Sequence, residues 1–445
     1  MEESMSKNAI IKGAFILTAT GLLTRFIGFF FRIFLSHTFG EEQVGLYQLI
    51  FPIYALCFSL SSAGIETSLS RSVAHKISQG KKREADIILY QALFISLALS
   101  VLLCILLQKG ASFFSIYVIG DLRCEPLLYT LSFALPFASL HSCICGYYLG
   151  QKKTKVPAIS QFLEQIARVG SVFLICKFMS HHISPPTIRI AVIGLAIGEG
   201  ISALFCLRYF TSRKHTTFSF SLIKKNGHTL RELLSLAIPL TSNRIFMNLL
   251  QSVETISIPI FLQKYGYSNA DSLRTYGVLT GMALPCIFFP TAITNSVSTM
   301  LLPTVAEIQA ENSLFRLKQL IQKVILFGFG LGAVCGIVFL VFGNLIGNIL
   351  FNSPMVGNYL QTLAWLCPFM YMNSTLLSVI NGLGRANHSL IINVCSLIIR
   401  ISGAWFGILT FGMQGYLWGL LISQIFVSLL CIWNLKCYLS SRELQ

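Results

Sequence analysis

The sequence predicts an all-α polytopic membrane protein, with about twelve transmembrane helices in two parallel-repeat six-helix lobes around a central cavity. Three observations predict it. Apolar runs long enough to cross a bilayer recur along the whole chain, the short loops alternate between basic and poor in basic residues, and the second half repeats the first at a nearly fixed offset.

Of the 445 residues, 54% are hydrophobic and only 11% are charged, where a soluble domain carries about 25% charged residues. Runs of eighteen or more apolar residues each cover ~30 Å of hydrocarbon. Twelve spans follow, at about 11–37, 44–74, 86–108, 126–149, 157–179, 188–210, 232–263, 274–303, 320–343, 357–381, 388–410 and 415–437. The second, seventh and eighth are the longest, which implies tilt or extension beyond the bilayer. The net charge of +16 does not point to nucleic acid, because the basic residues divide between short loops and buried positions. The 13 cysteines lie mostly within apolar spans and form no CxxC pair, so they read as small buried hydrophobes. Met1–Lys12 is polar and mildly basic, and the apolar stretch after it is too long for a signal h-region, so the first helix is expected to be retained.

The basic loops set the orientation. Lys76, Lys81, Lys82 and Arg83 follow span two, and Lys152, Lys153 and Lys155 follow span four. Arg213, Lys214, Lys224 and Lys225 follow span six, and Arg316, Lys318, Arg385, Lys436 and Arg442 continue the series. The alternate loops are poor in basic residues. Both termini are therefore expected on the cytoplasmic side of a bacterial plasma membrane.

The polar stretch of about 213–231 divides the chain into an N-terminal lobe, 1–212, and a C-terminal lobe, 232–445. An offset of 232 carries Gly45 onto Gly277, Thr67 onto Thr299, Val73-Ala74 onto Val305-Ala306, Pro136-Phe137 onto Pro368-Phe369 and Arg168 onto Arg400. Span one needs an offset of 219, which brings Thr24-Arg25 onto Asn243-Arg244. Six spans per half is an even number, so both halves enter the membrane from the same side and the repeats are parallel.

Charges inside the spans carry the functional reading, since each costs at least ~2.5–3.5 kcal/mol at mid-bilayer and so faces protein or water. Arg25 and Arg32 stand seven apart in span one, on one helix face. That face reads as the wall of an anion-accepting cavity; the plainer alternative pairs one with a buried acid and lets the other snorkel. Arg25, Arg168, Arg244 and Arg400 form two repeat-related pairs, and symmetry turns all four toward the central axis. Glu164 precedes Arg168 by four residues and can pair with it. Arg400 has no acid on its own helix, so another span or a ligand must supply its partner. Span seven carries a polar row of Arg244, Asn248, Gln251 and Thr255, with Asn243 and Glu254 beside it. In span eight, Pro285 and Pro290 are expected to bend the helix. Arginines slightly outnumber the buried acids Glu66, Glu164, Glu199 and Glu254, which suits a phosphate-bearing cargo. No GxxxxGK[ST], HExxH or GxSxG motif is present. His141, a lone histidine in an apolar span, reads as a packing residue. The sequence thus points away from an enzyme and implies no cofactor.

Leu23-Thr24-Arg25-Phe26-Ile27-Gly28 with Arg32-Ile33-Phe34-Leu35, then Gly45-Leu46-Tyr47-Gln48-Leu49-Ile50-Phe51-Pro52 and Tyr276-Gly277-Val278-Leu279-Thr280-Gly281, resemble the stage V sporulation protein B group of polysaccharide exporters. That group belongs with the lipid II flippases and multidrug exporters in one superfamily. The resemblance implies alternating access and export of a lipid-linked sugar precursor. Arg25 and Arg32 match the first-helix arginines of the flippases, though seven apart rather than six, and Arg274 sits where those flippases place a functional arginine. Their arginine in mid span two has no match in Tyr54-Ala55-Leu56, and their fourteen spans contrast with twelve.

The expected function is therefore a flippase carrying an undecaprenyl-pyrophosphate-linked glycan for peptidoglycan, spore cortex or surface polysaccharide. Arg25, Arg32, Arg244 and Arg274 would hold the pyrophosphate, with Arg168 and Arg400 on the same axis. Asn248, Gln251 and Glu254 would meet sugar or a coupling cation, and Glu254 or Glu66 would carry that cation. Coupling would draw on Na+, H+ or the membrane potential. Expected partners are the lipid-linked oligosaccharide, membrane lipids and cell-wall synthesis proteins. The alternatives are a cation-coupled multidrug antiporter and a non-transporting scaffold for cortex synthesis.

Overall fold

The computed structural model describes residues 2–180, 186–212, 227–311 and 313–443, and the described residues form helices with no strand. Most of the predicted linker, 213–226, lies outside them, and with it the basic residues Arg213, Lys214, Lys224 and Lys225.

Among the described residues, eight helices are long and apolar enough to cross a membrane, and two bent pairs qualify as one span each. The remaining two expected spans are also present as helices. The apolar stretch 15–78 holds spans one and two, separated where Gly40 takes φ 80° and ψ 169°, a backbone conformation that only glycine adopts without strain. Lys155–Ser180 is span five.

Breaks inside the spans recur at the repeat offset. Span four is bent by 43° between Leu122–Ser132 and Ala134–Gly150, and span ten passes through a tight turn at Ala364–Leu366. Pro136 and Pro368 explain both. Each lacks an N–H and clashes with the carbonyl four residues earlier, at Ser132 and Ala364. Span eight bends by 55° between Asn269–Phe288 and Thr291–Ala310, with Pro290 at the break, as its sequence predicts. Span two, at the corresponding depth, loosens into a π-turn at Ser59–Ala63. Helix starts follow ordinary capping: the hydroxyls of Ser268 and Ser353 accept from the backbone of Asp271 and Val356.

The chain forms two compact units. One contains Met1–Phe31 and Leu46–Ser252, the other Arg32–Gly45 and Val253–Gln445. Spans one and seven each contribute to both. The core of the first unit gathers Leu69, Val73, Ile88, Leu89, Ile144 and Leu233; that of the second gathers Val305, Leu376, Val379, Ile380, Cys431 and Leu435. Within the second unit Gly45 and Gly277, equated by the repeat, lie against one another. A Cβ on Gly277 would stand 2.6 Å from the backbone nitrogen of Gly45, so both positions exclude a side chain. In lipid, where apolar burial drives little helix association, such close backbone approach is the main source of packing energy.

Candidate functional site

In the first unit, span seven lays its polar row along span two. The Arg244 guanidinium donates to the Thr67 hydroxyl at 3.1 Å. One turn on, the Asn248 amide donates to the Ser59 hydroxyl at 2.5 Å and to the Ala55 carbonyl at 3.3 Å. The Ser252 hydroxyl reaches the Pro52 carbonyl at 3.4 Å. The π-turn beginning at Ser59 makes this possible, since its wider ladder offers carbonyl and hydroxyl groups to a neighbouring helix; such turns collect at functional sites.

These contacts border a recess of 380 Å³ lined by Ala55, Ser59, Asn243, Arg244, Met247 and Asn248, with Phe58 and Ala63 completing its wall. No acid lines it. Arg244 is exposed, its hydrogen-bond partner among the described residues being a neutral hydroxyl, so the recess carries net positive charge. A guanidinium there has fork geometry free for a carboxylate or phosphate. Gln251 is exposed on the same helix. Arg25 is exposed on span one and has no hydrogen bond or ion pair among the described residues. Glu66 accepts a hydrogen bond from Ser142 at 2.8 Å.

Three of the other arginines are matched by carboxylates. In the first unit Arg168 pairs with Glu164 on its own helix. In the second unit Arg274 pairs with Glu41, and Arg400 Nε lies 2.7 Å from Glu254 Oε1. Tyr416 donates to the same Glu254 oxygen at 2.6 Å, leaving that carboxylate 2% exposed. Arg32, half-buried, donates to the Thr280 carbonyl at 3.4 Å within the π-turn Val278–Ala283.

The expected site residues therefore divide. Arg25, Glu66, Arg168, Arg244, Asn248 and Gln251 belong to the first unit; Arg32, Glu254, Arg274 and Arg400 belong to the second. Of these, the structure brings Arg244 and Asn248 to one recess, and Glu254 and Arg400 to one ion pair. The Glu41–Arg274 pair was not read from the sequence, although both residues flank spans as loop charges. Also missed was a cluster of His141, Glu164 and Glu199, with His141 Nδ1 3.9 Å and 3.6 Å from the two carboxylates. A groove of 780 Å³ in the second unit is lined by Leu340, Gln361, Trp365, Phe369, Leu417 and Trp418 and holds none of the expected residues.

Comparisons with known proteins bear on this arrangement. The model of the polysaccharide biosynthesis protein family matches residues 10–309, and that of the MatE family matches residues 244–406. Stage V sporulation protein B of Bacillus subtilis (strain 168) is 26% identical over 438 residues, covering 96% of this chain and 83% of its own length. Lipid II flippase MurJ of the same organism is 21% identical over 365 residues, covering 78% of this chain and 65% of its own. Among solved structures, an inward-facing multidrug resistance MATE family transporter of the MOP superfamily superposes with a TM-score of 0.73 at 15% identity, covering 94% of this chain and 95% of that one.

Proposed function

Because the chain belongs to the polysaccharide biosynthesis protein family, within the MOP superfamily of membrane transporters and flippases, we propose that it moves an undecaprenyl-pyrophosphate-linked glycan from the inner to the outer leaflet by alternating access, for peptidoglycan, spore cortex or surface polysaccharide. The observation that carries this reading is the recess at Arg244: a guanidinium bonded to a neutral hydroxyl, in a concavity with no acidic lining. A cationic cargo would be repelled there and a diphosphate attracted. In this reading Arg244 and Arg25 take the pyrophosphate, Arg32 and Arg274 assist in the partner half of the cycle, and Asn248 and Gln251 meet the first sugar. Arg168 and Arg400, each held by an acid, keep their spans in place. Both termini face the cytoplasm, so a membrane potential negative inside drives the anionic cargo outward by roughly 2.3 kcal/mol per charge per 100 mV. Glu66, held by one serine hydroxyl, is the better placed carrier of a coupling Na+ or H+; Glu254 would first have to leave Arg400 and Tyr416.

Reconstituted leaflet translocation of defined lipid-linked sugars tests this. Arg244→Ala and Arg25→Ala are expected to lower the rate at least tenfold at unchanged protein levels, with Arg244→Lys restoring part of it. Normal translocation in both alanine variants rejects the site. The likeness to a multidrug transporter supports a second reading, antiport of drugs. Raised drug susceptibility of a deletion strain, with no defect in sugar-lipid export, would favour it.

A further inference from the structure

A cluster that transport leaves unused lies in the first unit, where spans four, five and six meet close to the Lys152–Lys155 loop. His141 and Cys145 stand one turn apart on span four, so both side chains leave the same face. Cys206 comes from span six. The ligand atoms of these three residues lie within 4.8 Å of one another, and the two sulfurs are 3.9 Å apart. Two sulfurs bound at ~2.3 Å to one tetrahedral zinc stand roughly 3.8 Å from each other, so the pair already has the edge length of such a site. Ser160 of span five closes the group, its Oγ 3.0 Å from His141 Nε2 and 3.3 Å from Cys145 Sγ.

The other face of the imidazole is prepared as well. Nδ1 lies 3.6 Å from Glu199 Oε2, a buried oxygen with no hydrogen-bond donor among the described residues. A carboxylate behind a histidine holds the proton on the near nitrogen and leaves the far one as a lone pair for a metal. Charge in the ligand set also balances: two thiols give up their protons to solvent and two thiolates meet a divalent cation, while Glu199 keeps its single negative charge facing the Nδ1–H of His141. Glu164 and Arg168 beside it already neutralise each other.

We propose that His141, Cys145 and Cys206 form a zinc site that ties span four to span six, with Ser160 Oγ as an oxygen ligand and Glu199 as the positioning residue for His141. The test uses the full chain purified in detergent under a non-coordinating reductant. Zinc is titrated against a chromophoric chelator, and Co2+ replaces it for spectroscopy. Expected are one zinc retained per chain, a thiolate-to-cobalt band in the near ultraviolet, and a zinc-induced rise in Tm. Cys145→Ser/Cys206→Ser should abolish all three, and Glu199→Gln should weaken affinity by roughly 10–100-fold. His141→Asn serves as a second variant, because the repeat carries Asn373 at the equivalent place and the fold accepts it there. Cys395→Ser and Cys437→Ser are controls that should change nothing. No retained zinc, retention that persists in the double-serine and His141→Asn variants, or a Cys145–Cys206 disulfide found by mass under the same reductant would overturn the site.

Discussion

Arg168 and Arg400 occupy the same place in spans five and eleven, 232 residues apart, yet they are neutralised in different ways. Arg168 takes Glu164 from its own helix, in company with His141 and Glu199. At the equivalent positions the second half has Ser396 and Asn373. Asn373 joins a neutral network instead, donating to Gln424 Oε1 at 2.9 Å and accepting from Ser428 at 2.7 Å. Arg400 must therefore look elsewhere, and it finds Glu254 of span seven. The repeat conserves the site of the guanidinium, not the source of its counter-charge. Physically this is expected: a buried arginine demands one negative partner, but no rule of helix geometry says which helix supplies it.

The largest effect should come from breaking the thinner of the two arrangements. Glu254→Gln leaves Arg400 with no carboxylate among the described residues and Tyr416 with a weaker acceptor; stripping a buried charge of its partner costs about 3–5 kcal/mol, and the partial exposure of Arg400 puts the loss at the lower end of that range. Thermal unfolding in detergent should show the loss, and Arg400→Met added to Glu254→Gln should recover most of it. Glu164→Gln should cost less, about 1–3 kcal/mol, because Glu199 remains in the same cluster. Equal losses in the two variants would mean that the clusters do not differ in redundancy.

A graft sharpens the contrast. Ser396→Glu places an acid four residues before Arg400, copying the Glu164–Arg168 spacing. In the Glu254→Gln background it should raise the stability by at least about 1 kcal/mol, whereas in the wild-type background it should lower it by burying a second acid beside an arginine already paired with Glu254. A sign that does not reverse between backgrounds would show that Arg400 is not what the new acid meets.

The comparison also explains what the sequence could and could not disclose. Spans, their order and the repeat were readable because they rest on local properties, apolar length and a fixed offset. The bend at Pro290 in span eight followed from its proline by backbone chemistry alone. The Glu164–Arg168 pair was readable because four residues along one helix is a contact by construction. Glu254–Arg400 was readable only halfway: the missing acid on span eleven announced a partner from outside, but not which. The recess at Arg244 needed the π-turn at Ser59–Ala63, which no residue type in that run announces. The cluster of His141, Cys145 and Cys206 was hidden for the same reason, since each member looks like an ordinary apolar-span residue until spans four and six are brought side by side.

The smallest effect concerns a third difference between the halves, at the polar helix ends just past the expected bounds of spans two and three. Lys76 lies 2.9 Å from Glu232 and 3.1 Å from Glu84, where the repeat has Ile308 and Arg316 in place of Lys76 and Glu84. The hydrogen bond from Lys76 holds the Glu84 carboxyl below its ordinary 4.5. Burial opposes the charge of Lys76, but Glu232 and Glu84 outweigh it and hold the ammonium above its ordinary 10.5. A depressed carboxyl stabilises fully above pH 4.5 and loses its contribution as pH falls through its folded value; a raised ammonium loses its own only as pH climbs past 10.5. Within the range between, wild type should exceed Glu84→Gln by a constant margin of about 0.2–1 kcal/mol, small because the carboxylate is partly solvated. Below pH 4.5 the two stability curves should converge. If they run parallel into acid, the Lys76 contact contributes nothing, and this end of the first half is no more tightly bound than its counterpart at Ile308.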